Sequence, residues 1–453
     1  MKVGVWLNEH ISKQVGGGFS YVDRLVNLID EHEFSKELDI VFVSKNQVAG
    51  SFKKEVVYLK PITTNTATSI PQKVLHRITN KIDFLDTIYK QSKEDIKTKQ
   101  INDHYRNQLL AEGISVIYHL TQMEHVVNDF PFIATNWDIG HFSMFPFPEV
   151  ASRRTFKKRE AWYGNTIKKA LAVFVESNSG KDELLSFVNI DYSRIKVLPM
   201  FPGGVVNCNV SVEKQDVYLK SNGLESNNYF FYPAQFWAHK NHYNLILAFN
   251  EVLKVKKSLN LVFTGADQGN ITYIKEVVAK LNLEDKVLFL GFVKKKEIKI
   301  LYQNATALVM PTFLGPTNMP LLEARELGCP VLCSNLEGHK ELLEDGANYF
   351  NPLKFQDIAS SMLNIVSIEA RQQLLNNVLK EYVEKHQLQN IWVQDKSMAQ
   401  LVYKEQKPDW VIYGNACEDL AEVHVHSKTA LMQHGIGPKS CYYEVSNSPI
   451  MHR

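Results

Sequence analysis

The chain has 453 residues, 45% hydrophobic and 22% charged, the profile of a globular protein with room for two to four domains that each bury a core. Its 51 Lys and Arg against 49 Asp and Glu leave a net charge of +2, so no large positive field marks it as a nucleic-acid binder. Five cysteines give no disulfide framework. Cys329 and Cys333 flank one predicted strand, whose four residues separate their Cα atoms by roughly 13 Å, too far for a bridge.

In chain order, MKVGVWL opens as a strand (2–7) rather than a signal peptide, and no apolar run reaches ~18 residues. A reducing cytoplasm is the expected compartment, with any membrane contact peripheral. VGGGFSYV (15–22) leads into an amphipathic helix over 19–32, with Val22, Leu25, Val26 and Ile29 on its apolar face. Further strands are expected at 38–44, 56–59, 115–120, 131–137, 172–177 and 195–200, interrupted by a polar helical insertion over about 62–112. The second half repeats the scheme at 229–234, 259–265, 286–291, 305–311 and 330–334, each strand followed by a helix. Near-continuous apolar strands separated by helices imply parallel sheets covered on both faces. Two such sets, joined near FPGGVVNCNV (201–210), predict an α/β protein of two doubly wound Rossmann-like domains facing across a cleft.

The loop PTFLGPTNMPLLEARELGCPVLCS (311–334) carries the most chemistry. Gly315 and Pro316 turn the chain, Asn318 is an N-cap candidate, Met319 and Pro320 open a helix of barely three turns, and Gly328 stops it. The free N–H groups at such a helix start suit a phosphate, and Glu323 could accept hydrogen bonds from sugar hydroxyls. An ordinary βα turn with a surface acid is the competing reading.

This loop resembles the signature of glycosyltransferase family 4, the retaining nucleotide-sugar transferases of GT-B fold. Pro320, Leu322-Glu323-Ala324, Gly328, Pro330-Val331 and EGHKELLEDGANYFNP (337–352) fall in place. The resemblance implies that Glu323 holds the ribose of the nucleotide. The acid that touches the donor sugar maps to Gly315, so Thr317, Asn318 or backbone groups would have to substitute. YPAQFWAHKNHYNLILAF (232–249) resembles the segment that grips the diphosphate: Lys240, followed by Asn241, keeps the family's Lys, and Gln235 stands in place of its Arg. FLGFVKKKEIKILYQNA (289–305) resembles the base cradle, with Gly291, Phe292 and Val293 against the base. Gly16, Gly17 and Gly18 match a loop facing phosphates and acceptor, where bare backbone can approach a ligand. TNWDIGHFSMFPFPEV (135–150) resembles the family's polar cleft segment, with Trp137 in place of His and Asp138 and His141 as catalytic candidates beside Lys240 and Glu323. ESNSGKDELLSF (176–187) matches a serine-rich turn expected to serve packing.

The resemblance divides the chain into an acceptor-side domain (1–203), a donor domain (204–385), a crossover helix (386–403) and a tail (404–453). HSKTALMQHGIGPKSCYY (426–443) is similar to the start of CDP-glycerol glycerophosphotransferase-like domains, so the chain is expected to be the front of a longer, two-enzyme protein. The expectation is a hexosyltransferase moving sugar from a nucleoside-diphosphate donor to a cell-surface glycan or lipid-linked acceptor, without metal or other cofactor. Its place is the cytoplasm or the inner membrane face, and the cations of RRTFKKRE (153–160) are candidates for contacting anionic lipid. Two rivals stay open: a silent protein that binds nucleotide sugar or glycan, and another GT-B enzyme such as a sugar-nucleotide epimerase.

Overall fold

The computed structural model describes residues 1–7, 17–48, 50–62, 99–123, 127, 130–385, 410–413 and 428–431. Gly16, insertion residues 63–98, the expected crossover helix and most of the tail lie outside them; of the glycerophosphotransferase-like run (426–443) only the strand Lys428–Leu431, paired in parallel with Trp410–Tyr413, is described.

Two compact units are present. The first holds Met1–Ile139, Arg153–Glu176 and Lys181–Leu198. The second takes Gly140–Ser152, Ser177–Gly180 and the chain from Pro199 onward.

The first unit is built on seven parallel strands: β1 (Lys2–Trp6), β2 (Asp39–Ser44), β3 (Val56–Tyr58), β4 (Ile114–Gln122), β5 (Phe132–Asn136), β6 (Ala172–Val175) and β7 (Ile195–Val197). Their order is β3-β2-β1-β4-β5-β6-β7. Of the expected insertion, residues 99–111 are helical. Tyr105 and Leu109 from that helix pack with Val41, Val43 and Ile117, so its inner face belongs to the core.

The second unit carries six parallel strands: β8 (Tyr229–Pro233), β9 (Asn260–Thr264), β10 (Val287–Phe289), β11 (Ala307–Met310), β12 (Val331–Ser334) and β13 (Asn348–Phe350). Phe230, Phe231, Leu261, Val262, Leu308, Val309 and Leu332 are fully buried, as strands covered on both faces must be. Burial of each such side chain contributes about 1.5–3 kcal/mol. β13 is absent from the expected strands: it is three residues long and only Phe350 is buried, too weak an apolar run to register as a strand.

The second sheet runs β10-β9-β8-β11-β12-β13. The chain starts in the middle at β8, moves outward to β10, and returns to the other side of β8 with β11. The strand order therefore reverses between β8 and β11, and the loops leaving their C-terminal ends diverge to opposite faces of the sheet. Those two loops carry Gln235–Asn241 and Pro311–Asn318. Both doubly wound parallel sheets answer the sequence-based expectation of fold class.

Candidate functional site

The two diverging loops are stitched together by backbone and side-chain bonds. The Phe313 N–H donates to the His239 carbonyl at 2.9 Å. The Asn241 side-chain amide donates to the carbonyls of Pro311 and Pro352, both at 2.9 Å. Asn241 takes a left-handed backbone (φ 59°), tolerable for Asn, and ends the short turn Ala238–Lys240. Predicted as ligand-binding, Asn241 has both amide protons engaged within the fold. The Tyr232 hydroxyl, at the end of β8, donates to the Lys240 carbonyl at 2.9 Å and holds the Lys240 backbone in place.

The Lys240 ammonium donates to Asn318 Oδ1 at 3.0 Å, which joins the two loops at their charged end. Asn318 begins the helix Met319–Glu326 with extended backbone, as expected of an N-cap, but its side chain makes no capping bond. It turns to Lys240 and to His339, whose Nε2 lies 2.9 Å from Asn318 Nδ2. Thr317 and Met319 on either side are buried, and the Thr317 hydroxyl faces Met200 Sδ at 3.8 Å. At the far end of the helix, Cys329 N–H donates to the Ala324 carbonyl and Gly328 N–H to that of Arg325, the paired bonds of a Schellman stop.

Gly315 has φ +115°, and a Cβ there would stand 2.8 Å from Asn318 Nδ2 and 2.9 Å from the Thr317 carbonyl oxygen. The place of a side chain at 315 is thus taken by Asn318. Gly338, on the neighbouring helix Glu337–Leu343, is still tighter: an added Cβ would overlap the Pro316 carbonyl.

Glu323, on the buried face of Met319–Glu326, is 7% exposed and accepts from the Tyr302 hydroxyl at 3.1 Å. Burial drives its pKa up to about 7, against the opposing hydrogen bonds of Tyr302 and the Gly203 N–H and the charge of Lys295. Glu149 closes the other side of the β8 loop: its Oε1 accepts from the His239 N–H at 2.8 Å and lies 2.6 Å from His239 Nδ1. Burial works against that carboxylate, but the His239 bonds hold it below the usual carboxylate range. Phe147, two residues before it, stacks on Phe313 at 5.6 Å.

The remaining predicted residues scatter more widely. Gln235 accepts from the Trp237 indole N–H at 3.0 Å. Gly291 follows β10, its carbonyl accepting from Gly265 N–H at 2.8 Å. Val293 is half-buried against the core, while Phe292 is 64% exposed and stands clear of it. In the first unit, Gly17 opens the helix Gly17–Glu31, and Gly18 lies against the Trp137 ring, 3.3 Å from where its Cβ would be. Trp137 N–H donates to Gln122 Oε1 at 3.2 Å, and its ring meets Tyr21 edge-on. Asp138 accepts from Arg159 at 2.6 Å, so one cation of the 153–160 cluster serves an internal ion pair. Arg154, Lys157 and Lys158 are exposed. His141 counts with the second unit and is fully buried.

Sequence reasoning missed Tyr302, His339 and Glu149. The motif text around the last two was in view, as EGHKE and FPE, but neither shows which side chain turns inward. Among the described residues no group of three or more His, Cys, Asp or Glu side chains is placed to hold a metal ion, and no helix is long and apolar enough to cross a membrane.

Lys240, the start of the helix Met319–Glu326 and buried Glu323 thus lie together at the strand-order reversal. Residues 214–386 match the family model of glycosyl transferases group 1. The matched segment contains Lys240, Gly315, Asn318, Glu323 and His339.

The O-antigen chain mannosyltransferase RfbU of Salmonella typhimurium is 31% identical over 221 residues, 48% of this chain and 57% of that protein. O-antigen chain mannosyltransferase B of Escherichia coli is 22% identical over 228 residues, 49% of this chain and 58% of that protein. The chain thus spans little more than half the length of these relatives. Solved structures align over more of it: Anabaena HepE with UDP and glucose has a TM-score of 0.57 at 14% identity, covering 85% of this chain and 95% of that one. WaaG, a glycosyltransferase of lipopolysaccharide biosynthesis, has the same score and identity, covering 84% and 95%. The fold is GT-B, with two doubly wound α/β units and the segment matched by the family model in the second.

Proposed function

We propose that this protein is a glycosyltransferase that moves a hexosyl group from a nucleoside-diphosphate sugar to a hydroxyl of a cell-surface glycan or its lipid-linked precursor. The observation that carries the proposal is the Lys240–Asn318 bond at the strand-order reversal, beside the start of Met319–Glu326. Lys240, Gln235 and the N–H groups at that helix start would hold the diphosphate. Glu323 would accept from the ribose hydroxyls, and Phe292 with Gly291 and Val293 would meet the base. Phe292's exposure at the C-terminal end of β10 supports a stacking role.

In the transfer, the bond between the anomeric carbon and the diphosphate oxygen breaks and the acceptor oxygen bonds to that carbon. The acceptor's proton is released, and the fixed ammonium and N–H groups stabilise the departing diphosphate without needing a metal. The family 4 resemblance supports retention of configuration. The first unit, through Gly17, Gly18 and Trp137, would serve the acceptor. Exposed Arg154, Lys157 and Lys158 would allow peripheral docking to an anionic membrane face.

The test is incubation with labelled UDP-, GDP-, CDP- and dTDP-sugars and a glycan acceptor, mannosyl donors first because of the two O-antigen relatives. Transfer yields free nucleoside diphosphate and a lengthened glycan. Epimerisation without transfer, or binding without turnover, would support one of the rivals instead.

A further inference from the structure

His339 is wholly buried, and its two ring nitrogens face partners of opposite kind. Nδ1 lies 2.9 Å from the Ser334 carbonyl, which only accepts, so Nδ1 carries the proton. Nε2 therefore presents a lone pair to Asn318, 2.9 Å away, and the amide must turn its NH₂ toward it. The second amide proton points toward the Gly315 carbonyl at 3.5 Å. With its NH₂ committed on that side, Asn318 has to offer Oδ1 to Lys240. Were the amide reversed, two donors would face each other at Lys240 and two acceptors at His339. Gly315 completes the arrangement, because any side chain there would displace the amide.

We propose that His339 is a positioning residue: its Nδ1-protonated ring sets the amide of Asn318, and through it the ammonium of Lys240, for the donor's diphosphate. The proposal rests on the donor reading of this loop pair. His339 itself touches no substrate. Its imidazole and the Asn318 amide supply, as a buried neutral pair, the anchoring that a side chain at 315 cannot give.

The experiment compares wild type with His339→Phe, His339→Gln, Asn318→Ala and the His339→Phe/Asn318→Ala double variant. The readouts are kcat/KM for the donor, circular dichroism and ¹⁵N NMR of the histidine rings. Phe keeps the ring's bulk and loses the acceptor; Gln restores an acceptor near the Nε2 position. The expected result is a loss of roughly tenfold or more in kcat/KM for Phe, recovery to within about threefold for Gln, and a double variant no worse than Asn318→Ala alone. The wild-type spectrum should show His339 protonated at Nδ1, with an Nε2 shift that moves in Asn318→Ala. Wild-type kcat/KM in folded His339→Phe, additive losses, or Gln no better than Phe would overturn the proposal. A ring protonated at Nε2 would overturn it too, even if His339→Phe fails to fold. Absence of donor turnover and binding in the wild-type protein is the separate failure of the donor reading, and the NMR tautomer then still decides whether His339 orients Asn318.

Discussion

At Glu323, burial and chemistry pull in opposite directions. Its carboxyl is held near pKa 7 against an ordinary 4.5, so the folded chain binds this proton more tightly than the unfolded chain. Stability from this group is full below about pH 4.5 and falls as pH rises toward 7, by on the order of 3 kcal/mol if the whole shift is expressed. His339 acts with the opposite sign: burial pushes its pKa from 6.5 to about 4, opposed by the Ser334 bond and assisted by Lys240, so its contribution is lost as pH falls through that range. Glu323→Gln is therefore expected to gain stability relative to wild type between pH 5 and pH 8, by about 1–3 kcal/mol in urea unfolding. An equal difference at both pH values would count against the protonation state inferred here. Gly315→Glu, which restores the acid of the resembled pattern, is expected to lower stability by about 1–3 kcal/mol in the same assay, because it forces a side chain into positive φ and onto Asn318. Glu323 was legible from its neighbours in sequence. His339 was not, because its meaning depends on Asn318, 21 residues away, and on which ring nitrogen faces it.

Among the elements, the strands were legible because buried parallel strands are apolar along their whole length, and the helix Met319–Glu326 because Asn318, Pro320 and Gly328 punctuate it. The cross-links between elements were hidden. Asn241 looked like part of a ligand grip, yet its amide ties the end of β11 to the loop after β13. Asn241→Ala is expected to cost about 1–3 kcal/mol, since the buried Pro311 carbonyl loses its side-chain donor, the Pro352 carbonyl keeps only that of Asn244, and alanine must hold φ 59°. Thermal unfolding checks this, and an unchanged midpoint would show that the loop pair holds without it. Glu149 was hidden for the same reason, since FPE says nothing about the His239 N–H it accepts from.

For the whole molecule, the expected α/β class and paired sheets were readable from strand spacing, while their strand orders required the backbone trace. Charge on the first unit makes a prediction of its own. Replacing Arg154, Lys157 and Lys158 together with Ala should weaken co-sedimentation with anionic vesicles by about 1 kcal/mol per cation, with no change on neutral vesicles. Equal loss on both vesicle types would point to misfolding instead. The central claim is that the loops after β8 and β11 bind a nucleoside diphosphate, and calorimetric titration of UDP, GDP, CDP and dTDP into the full chain tests it most directly. The account predicts that at least one of them binds, and that Lys240→Ala and Glu323→Gln each weaken that binding by about tenfold or more, roughly 1.4 kcal/mol. No binding by any of the four, or binding unchanged in both variants, would contradict it.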